Sequence, residues 1–175
     1  MTTTKGIDFA TLPLKDALDL AVLVEEEAQE RYEEFADQMT KHRNATAASF
    51  FRFMAANEQK HGAELQARRK QLFADAPAAV TRQNLFDVEA PEYDEVRAFM
   101  TAREALQAAY RAEKKAYAFF NEAIPRITDP AVKRLFEELR GEEVQHQDLV
   151  LMQLEKTPPD PKIKADDVAD EPAAQ

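Results

Sequence analysis

Leu139-Arg-Gly-Glu-Glu-Val-Gln-His-Gln-Asp-Leu-Val150 holds a glutamate and a histidine, Glu143 and His146, three positions apart. The same pair occurs earlier as Glu58-Gln-Lys-His61, so the two pairs contain two of the 3 histidines of the chain. Residues three apart on a helix lie on one face, and each pair therefore directs a carboxylate and an imidazole the same way. Because glutamate is common, such a pair arises readily by chance, and its meaning depends on the rest of the chain.

The composition limits the class of protein. The 175 residues are 45% hydrophobic and 32% charged with 3 glycines, which suits one helical domain. No run of about 18 apolar residues and no apolar signal-peptide core is present, so we expect a cytoplasmic protein without a membrane partner. The formal net charge of −10 argues against nucleic acid as a partner. The lack of cysteine excludes disulfides, zinc ribbons and cysteine-ligated iron.

Apolar residues spaced alternately three and four apart predict two helices in the first half of the chain. The first begins near Pro13 and runs to about Thr40, and the second runs from about Ala45 to Phe73, with Asn44 as its N-cap. The predicted inward-facing residues are Leu18, Ala21, Glu25, Ala28, Tyr32, Phe35 and Met39, then Ala47, Phe51, Met54, Glu58, His61, Leu65, Arg68 and Leu72.

Two more helices are predicted in the second half. A capping box, Thr101 to Glu104, opens the third helix, which Pro125 ends. Asp129 and Pro130 supply an N-cap and a first-turn proline for the fourth, which finishes near Lys156. The predicted inward-facing residues are Leu106, Ala109, Glu113, Ala116, Phe120 and Ala123, then Val132, Phe136, Leu139, Glu143, His146 and Val150.

Two segments lie outside the predicted helices, a long connection after Phe73 and the residues after Lys156. The long connection after Phe73, with a possible short helix at Tyr93–Phe99, is long enough to return along the bundle, so the third helix would lie parallel to the second. We assign residues 1–156 to one helical domain. Residues 157–175, with four prolines and five acidic residues, are predicted to be a disordered tail, or alternatively a partner-docking peptide.

An internal repeat relates the two halves. The segment Glu25–Tyr32 returns 88 positions later as Glu113–Phe120, with glutamate, alanine and an aromatic residue in the same places. The Glu-x-x-His pairs recur 85 positions apart. The sequence therefore predicts an all-α four-helix bundle of two helical hairpins joined by a long crossover.

Polar residues interrupt all four apolar stripes at one height. In an antiparallel hairpin, facing residues are equally distant from the turn. The midpoint between Glu25 and Glu58 falls at residues 41 and 42, and that between Glu113 and Glu143 at residue 128, each inside a predicted turn. Both sets lie roughly 22 Å from their turns at the helical rise. We expect six side chains to converge: Glu25, Glu58, His61, Glu113, Glu143 and His146.

Four carboxylates inside a bundle need compensating cations, because burial costs several kcal/mol for each ion. Two divalent metals would neutralise them, and oxygen ligands mixed with imidazole suit iron or manganese. The alternative, that the stripes are misphased and these groups face solvent, requires all four helices to be misplaced together.

The pattern resembles the ferritin-like di-iron carboxylate superfamily, in which single-Glu helices and Glu-x-x-His helices surround two metals. Within it, Glu25-x-x-Ala28-x-x-Arg31-Tyr32 and the two-hairpin layout resemble the rubrerythrins over about residues 14–156. The resemblance implies a ferritin-like fold, with Glu25 and Glu113 as terminal ligands and Tyr32 beside the centre as a catalytic residue. It further implies that Glu58 and Glu143 bridge the metals and that His61 and His146 each complete one. Packing alone would also explain Tyr32.

Two departures from the rubrerythrin pattern bear on the reaction. Rubrerythrins usually carry a rubredoxin-like centre of four cysteines, which this chain lacks, so an external electron donor is required. They also carry an extra glutamate one turn after the third-helix ligand, where this chain has Ala116. Because of these two differences, the resemblance supports a peroxidase activity less strongly than it supports the metal site.

The resemblance implies first an oxidoreductase that reduces hydrogen peroxide or dioxygen at two iron ions in a Glu4His2 centre. The long crossover and the acidic tail favour a small oligomer over a storage shell, and we expect a homodimer. The alternatives are an iron-binding ferroxidase for storage or detoxification, a dimanganese catalase-like enzyme, and a metal-free structural bundle.

Overall fold

The structure is a computed structural model that describes residues 7–82 and 101–160. Within these ranges the chain forms four long helices: α1 Leu14–Lys41, α2 Ala45–Phe73, α3 Ala102–Ala123 and α4 Pro130–Lys156. A short 3₁₀ turn, Ile124–Arg126, follows α3, and the described residues form no strand. The predicted all-α four-helix bundle is confirmed. No helix in the described ranges has the length and apolar character needed to cross a bilayer.

The helix starts follow the predicted caps. The Asn44 side chain accepts a hydrogen bond from the backbone N–H of Ala47. Thr101 and Glu104 satisfy each other's backbone donors in a reciprocal capping box. Asp129 accepts from two N–H groups in the first turn of α4. These bonds satisfy N–H donors that a helix N-terminus otherwise leaves unpaired. Because they join residues close together in the sequence, the starts of these three helices could be predicted from the sequence.

Two apolar clusters fill the two ends of the bundle. The upper cluster contains Met39, Ala47, Leu106 and Val150, one from each helix. The lower cluster contains other residues of the same four helices, among them Leu18, Leu65, Phe120 and Phe136. Since α2 and α3 both begin in the upper cluster and end in the lower one, the two helices run parallel, as the length of the crossover predicts.

Hydrogen bonds attach the start of the crossover to α1. The Lys15 ammonium donates to the carbonyl oxygen of Pro77 at 3.0 Å. Arg82 lies further along, where it forms two hydrogen bonds of 2.6 and 2.8 Å with Glu30. Residues 74–82 therefore run along α1 from its N-terminus toward its C-terminus. The predicted helix at Tyr93–Phe99 lies outside the described residues.

A partly buried ion pair supports this attachment. Arg69 donates to the Asp19 carboxylate at 2.6 Å and to the carbonyl oxygen of Ala76 at 2.6 Å. Burial alone would raise the pKa of Asp19, but hydrogen bonds from Arg69 and Lys15 outweigh it and lower that pKa below its usual value. This polar contact ties α1, α2 and the crossover together.

The predicted α2 stripe is wrong beyond Leu65. Leu72 is 52% exposed, and Arg68 is half-buried and pairs with Glu138 at 2.8 Å. Phe73 packs against the lower cluster instead, and that end of the core is completed by Phe9 from the segment before α1. Because Phe9 lies before the first helix, helical periodicity could not predict that it belongs to the core. The predicted disordered tail lies, from residue 161 onward, outside the described residues, whereas α4 ends at Lys156.

Candidate metal centre

A polar layer separates the two apolar clusters. Each helix contributes one glutamate to this layer, at the point where a polar residue interrupts its inward-facing apolar residues. Five of its residues are at most 4% exposed: Glu25, Glu58, Glu113, Glu143 and His146. Only His61 keeps some contact with solvent, with 20% of its side chain exposed. The structure therefore places the six predicted residues inside the bundle rather than on its surface.

Short contacts connect these side chains. The Nδ1 atom of His146 lies 3.2 Å from a Glu58 oxygen and 3.4 Å from a Glu113 oxygen. The Nδ1 atom of His61 lies 3.8 Å from Glu25. The two imidazole rings stack with centroids 5.4 Å apart and an angle of 10° between their planes. Each histidine therefore contacts a carboxylate of its own hairpin, and Glu58 also connects the first hairpin to His146 of the second.

The ligand atoms form three groups in which all members lie within 4.8 Å of one another. Two atoms that each lie about 2.1 Å from one ion can be up to about 4.2 Å apart, so a small movement would close each group around a cation. Glu58 is grouped with both histidines, which suits a residue shared by two ions. The groups are Glu58–His61–His146, Glu25–His61–Glu142 and Glu113–Glu143–His146.

The electrostatics favour neutral forms when no cation is bound. Burial, reinforced by the charge of Glu58 and a hydrogen bond with it, raises the pKa of Glu25 well above its usual range. Burial and the neighbouring His146 lower the pKa of His61. When no cation is bound, a proton held by Glu25 therefore removes one negative charge from the layer.

The donor set fits divalent metal ions. Neither carboxylate oxygen of Glu113 accepts a hydrogen bond from the described residues, although the side chain is completely buried. A buried carboxylate without donors is costly, and a bound cation would satisfy it. Hard carboxylate oxygens with imidazole nitrogens form a set that binds iron and manganese well.

Tyr32 lies beside this layer, as the resemblance implies. Its ring is 3% exposed and stacks on Phe51 in the upper cluster. Its hydroxyl has no hydrogen-bond partner among the described residues. Tyr32, Arg31 and Glu113 line a cavity of about 10 Å³ between α1 and α3, which is room for about one water molecule.

Glu142 is the residue that sequence reasoning missed. It lies half-buried beside Glu25 and His61, and it joins them in one ligand group. It precedes Glu143, so the helical period places it about 100° away from the inward stripe. The one sequence feature that could have indicated Glu142 as a candidate ligand is its position next to Glu143 in Glu142-Glu143-x-x-His146.

Comparisons with known proteins agree with this geometry. A family profile described as Rubrerythrin matches residues 16–154. An uncharacterized conserved protein from Magnetospirillum magnetotacticum MS-1 is 35% identical, with a TM-score of 0.71 over 87% of this chain and 99% of that one. A hypothetical protein from Pyrococcus furiosus, 21% identical, shares the fold, with a TM-score of 0.57 over 82% of this chain and 89% of that one. A comparison with curated proteins finds no match. The chain, a ferritin-like bundle without cysteine and with a candidate Glu/His metal-binding group, belongs to the rubrerythrin family.

Proposed function

We propose that this protein is a non-haem di-iron oxidoreductase that reduces hydrogen peroxide or dioxygen with electrons from an external donor. Its centre consists of Glu25, Glu58, His61, Glu113, Glu143 and His146. Glu58 and Glu143 would be shared between two ions, and each histidine would complete one of them. Manganese is the alternative metal, since the same donor set accepts it.

One observation carries this proposal. Four carboxylates and two imidazoles occupy a single layer, sealed above and below by apolar side chains. Such a layer is unfavourable for a structural bundle, because apolar residues of similar volume would serve at least as well. A site for two cations supplies the charge that makes the layer favourable.

The residues around the layer provide a restricted, polar reaction space. Two iron(II) ions, when bound, supply the two electrons that cleave the O–O bond of peroxide. Each of the four helices holds one carboxylate in place, so little rearrangement of the side chains is needed during the reaction. The Tyr32 hydroxyl, which has no partner among the described residues, is free to donate a hydrogen bond into the small cavity beside Glu113. The apolar clusters limit water entry from either end.

Stopped-flow mixing of the anaerobically reduced protein with oxidant tests the function. We expect hydrogen peroxide or dioxygen to change the diferrous spectrum at least about 100-fold faster than it oxidises free iron(II), the lower range of what positioned catalytic groups contribute. Metal analysis of protein purified without added metal identifies the ion. Oxidation no faster than that of free iron(II) by either oxidant would remove the enzyme proposal.

Replacing Tyr32 with phenylalanine is expected to slow oxidation by about 10-fold or more, because the cavity loses its hydrogen-bond donor. Metal content should not change. Apo stability should change by less than about 1 kcal/mol, since no hydrogen bond to another described residue is lost. Tyr110→Phe is the matched control, because Tyr110 is half-buried and packs against the upper cluster. An unchanged oxidation rate in Tyr32→Phe would assign Tyr32 to packing alone.

The alternative function is an iron-binding ferroxidase for storage or detoxification. Repeated additions of iron(II) distinguish the two. A storage protein retains many ferric ions per chain, whereas the proposed enzyme returns to a two-ion state with a reductant. Size-exclusion mass adds a second criterion, because storage requires a large shell and we expect a homodimer.

A further inference from the structure

Among the described residues, an open cleft leads to the polar layer on the side of His61. It lies between α2 and α4, has a volume of about 220 Å³, and is lined by His61 and Glu142 at its upper end. Glu64, the Arg68–Glu138 ion pair and three leucine side chains line the rest of it. Acidic side chains in a cleft raise the local concentration of cations, so this opening favours divalent metal ions.

The two halves of the centre differ in their access to this cleft. The His146 side chain is 4% exposed and His61 is 20% exposed. All members of the Glu113–Glu143–His146 group are buried, whereas Glu142 and His61 are half-buried. An ion arriving through the cleft therefore meets the Glu25–His61–Glu142 group first.

The internal repeat breaks at the same place. Glu142 precedes Glu143 in the second hairpin, and the corresponding residue before Glu58 in the first hairpin is Asn57. An amide offers a neutral oxygen where the other half offers a carboxylate. The two cation sites are consequently unequal in charge as well as in exposure.

We propose that Glu142 is a further metal ligand, completing an outer divalent-cation site with Glu25 and His61 that fills from the α2/α4 cleft before the inner site. The three ligand atoms already lie within 4.8 Å of one another. The inner site would be the Glu113–Glu143–His146 group, with Glu58 and Glu143 shared between the two sites. This inference rests on the proposed metal centre and adds to it a seventh ligand and an order of loading.

Cobalt(II) titration of the full-length apo protein tests the assignment, with visible absorption for the coordination sphere and stopped-flow for the rate. Wild type is expected to bind two ions in two steps of different affinity. Glu142→Gln should weaken the first step by about 10-fold or more and slow it, the scale seen when groups that support metal ligands are removed. Glu142→Asp keeps the charge but shortens the side chain, and it should weaken the same step.

Glu138→Gln is the matched control, because it removes one charge from the same cleft without touching the ligand group. It should change the rate slightly and the affinity of the first step less than about 3-fold, the size of a screened surface charge. Wild-type affinity and rate in Glu142→Gln, or an equal loss in Glu138→Gln, would overturn the assignment of Glu142. A wild-type protein that binds no cobalt would instead remove the metal centre itself, and the inference with it.

Discussion

Glu58→Gln should abolish binding of both metal ions while leaving the apo bundle at least as stable as apo wild type. Glu58 is 1% exposed and is grouped with both histidines, so its loss should affect both ions. The substitution keeps the shape of the side chain, so no cavity forms. It also removes one acid from the polar layer, and the new amide can donate a hydrogen bond toward Glu25.

The stability of the metal-loaded protein reports the effect. A ligand at about 1,000 times its dissociation constant stabilises the folded state by about 4 kcal/mol. For a domain of this size that raises the melting temperature by about 8 to 16 °C. We expect wild type to show such a rise with iron(II) or manganese(II), and Glu58→Gln to show almost none.

Two controls separate ligation from general charge. Glu137→Gln changes an exposed glutamate of α4 and should retain the full rise with metal. Differential scanning calorimetry of the apo proteins gives the second comparison. If apo Glu58→Gln melts clearly below apo wild type, the buried carboxylates do not oppose one another as inferred.

The stability of apo wild type should decline relative to Glu25→Gln as pH rises. Burial and the charge of Glu58 raise the pKa of Glu25 in the folded protein. The folded state therefore holds a proton that the unfolded chain releases above the ordinary carboxyl pKa of 4.5. The stability linked to that proton is fully present below pH 4.5 and is lost as pH rises toward the folded-state pKa.

Urea denaturation of both apo proteins at a series of pH values measures this difference. Above pH 4.5 the free energy of unfolding of wild type should fall relative to that of Glu25→Gln, because burial raises the pKa of Glu25 in the folded state. The lowered pKa of His61 acts in the opposite direction, since that contribution to stability is lost as pH falls below 6.5. Because His61 is present in both proteins, taking the difference between them largely removes its effect. A difference that is constant with pH would contradict the raised pKa of Glu25.

The helices and their heights were predictable because the relevant interactions are local. Asn44, the Thr101–Glu104 capping box and Asp129 act within one turn of the helices they begin. The heptad stripes place each glutamate relative to its own hairpin turn. Two hairpins of equal geometry then bring their polar residues to one layer, as the 3.2 and 3.4 Å contacts of His146 show.

Other features depended on neighbours that are distant in the chain. Leu72 continues the α2 stripe in sequence but is exposed, because Phe9 and Phe73 occupy that end of the core. Asp19 and Arg69 form a partly buried ion pair although they are 50 residues apart, which helical periodicity does not indicate. The sequence also could not predict that the Tyr32 hydroxyl has no hydrogen-bond partner among the described residues, because this depends on how the helices pack.

The sequence by itself determined the four helices, their caps and the six polar residues at one height, since helical periodicity fixes which residues share a face. Only the tertiary structure decided that Glu142, outside that face, lies beside His61 and that a cleft opens to one half of the centre. The physical reason is that the angle between packed helices depends on the side chains of both partners, and it brings residues at the edges of their stripes into or out of contact.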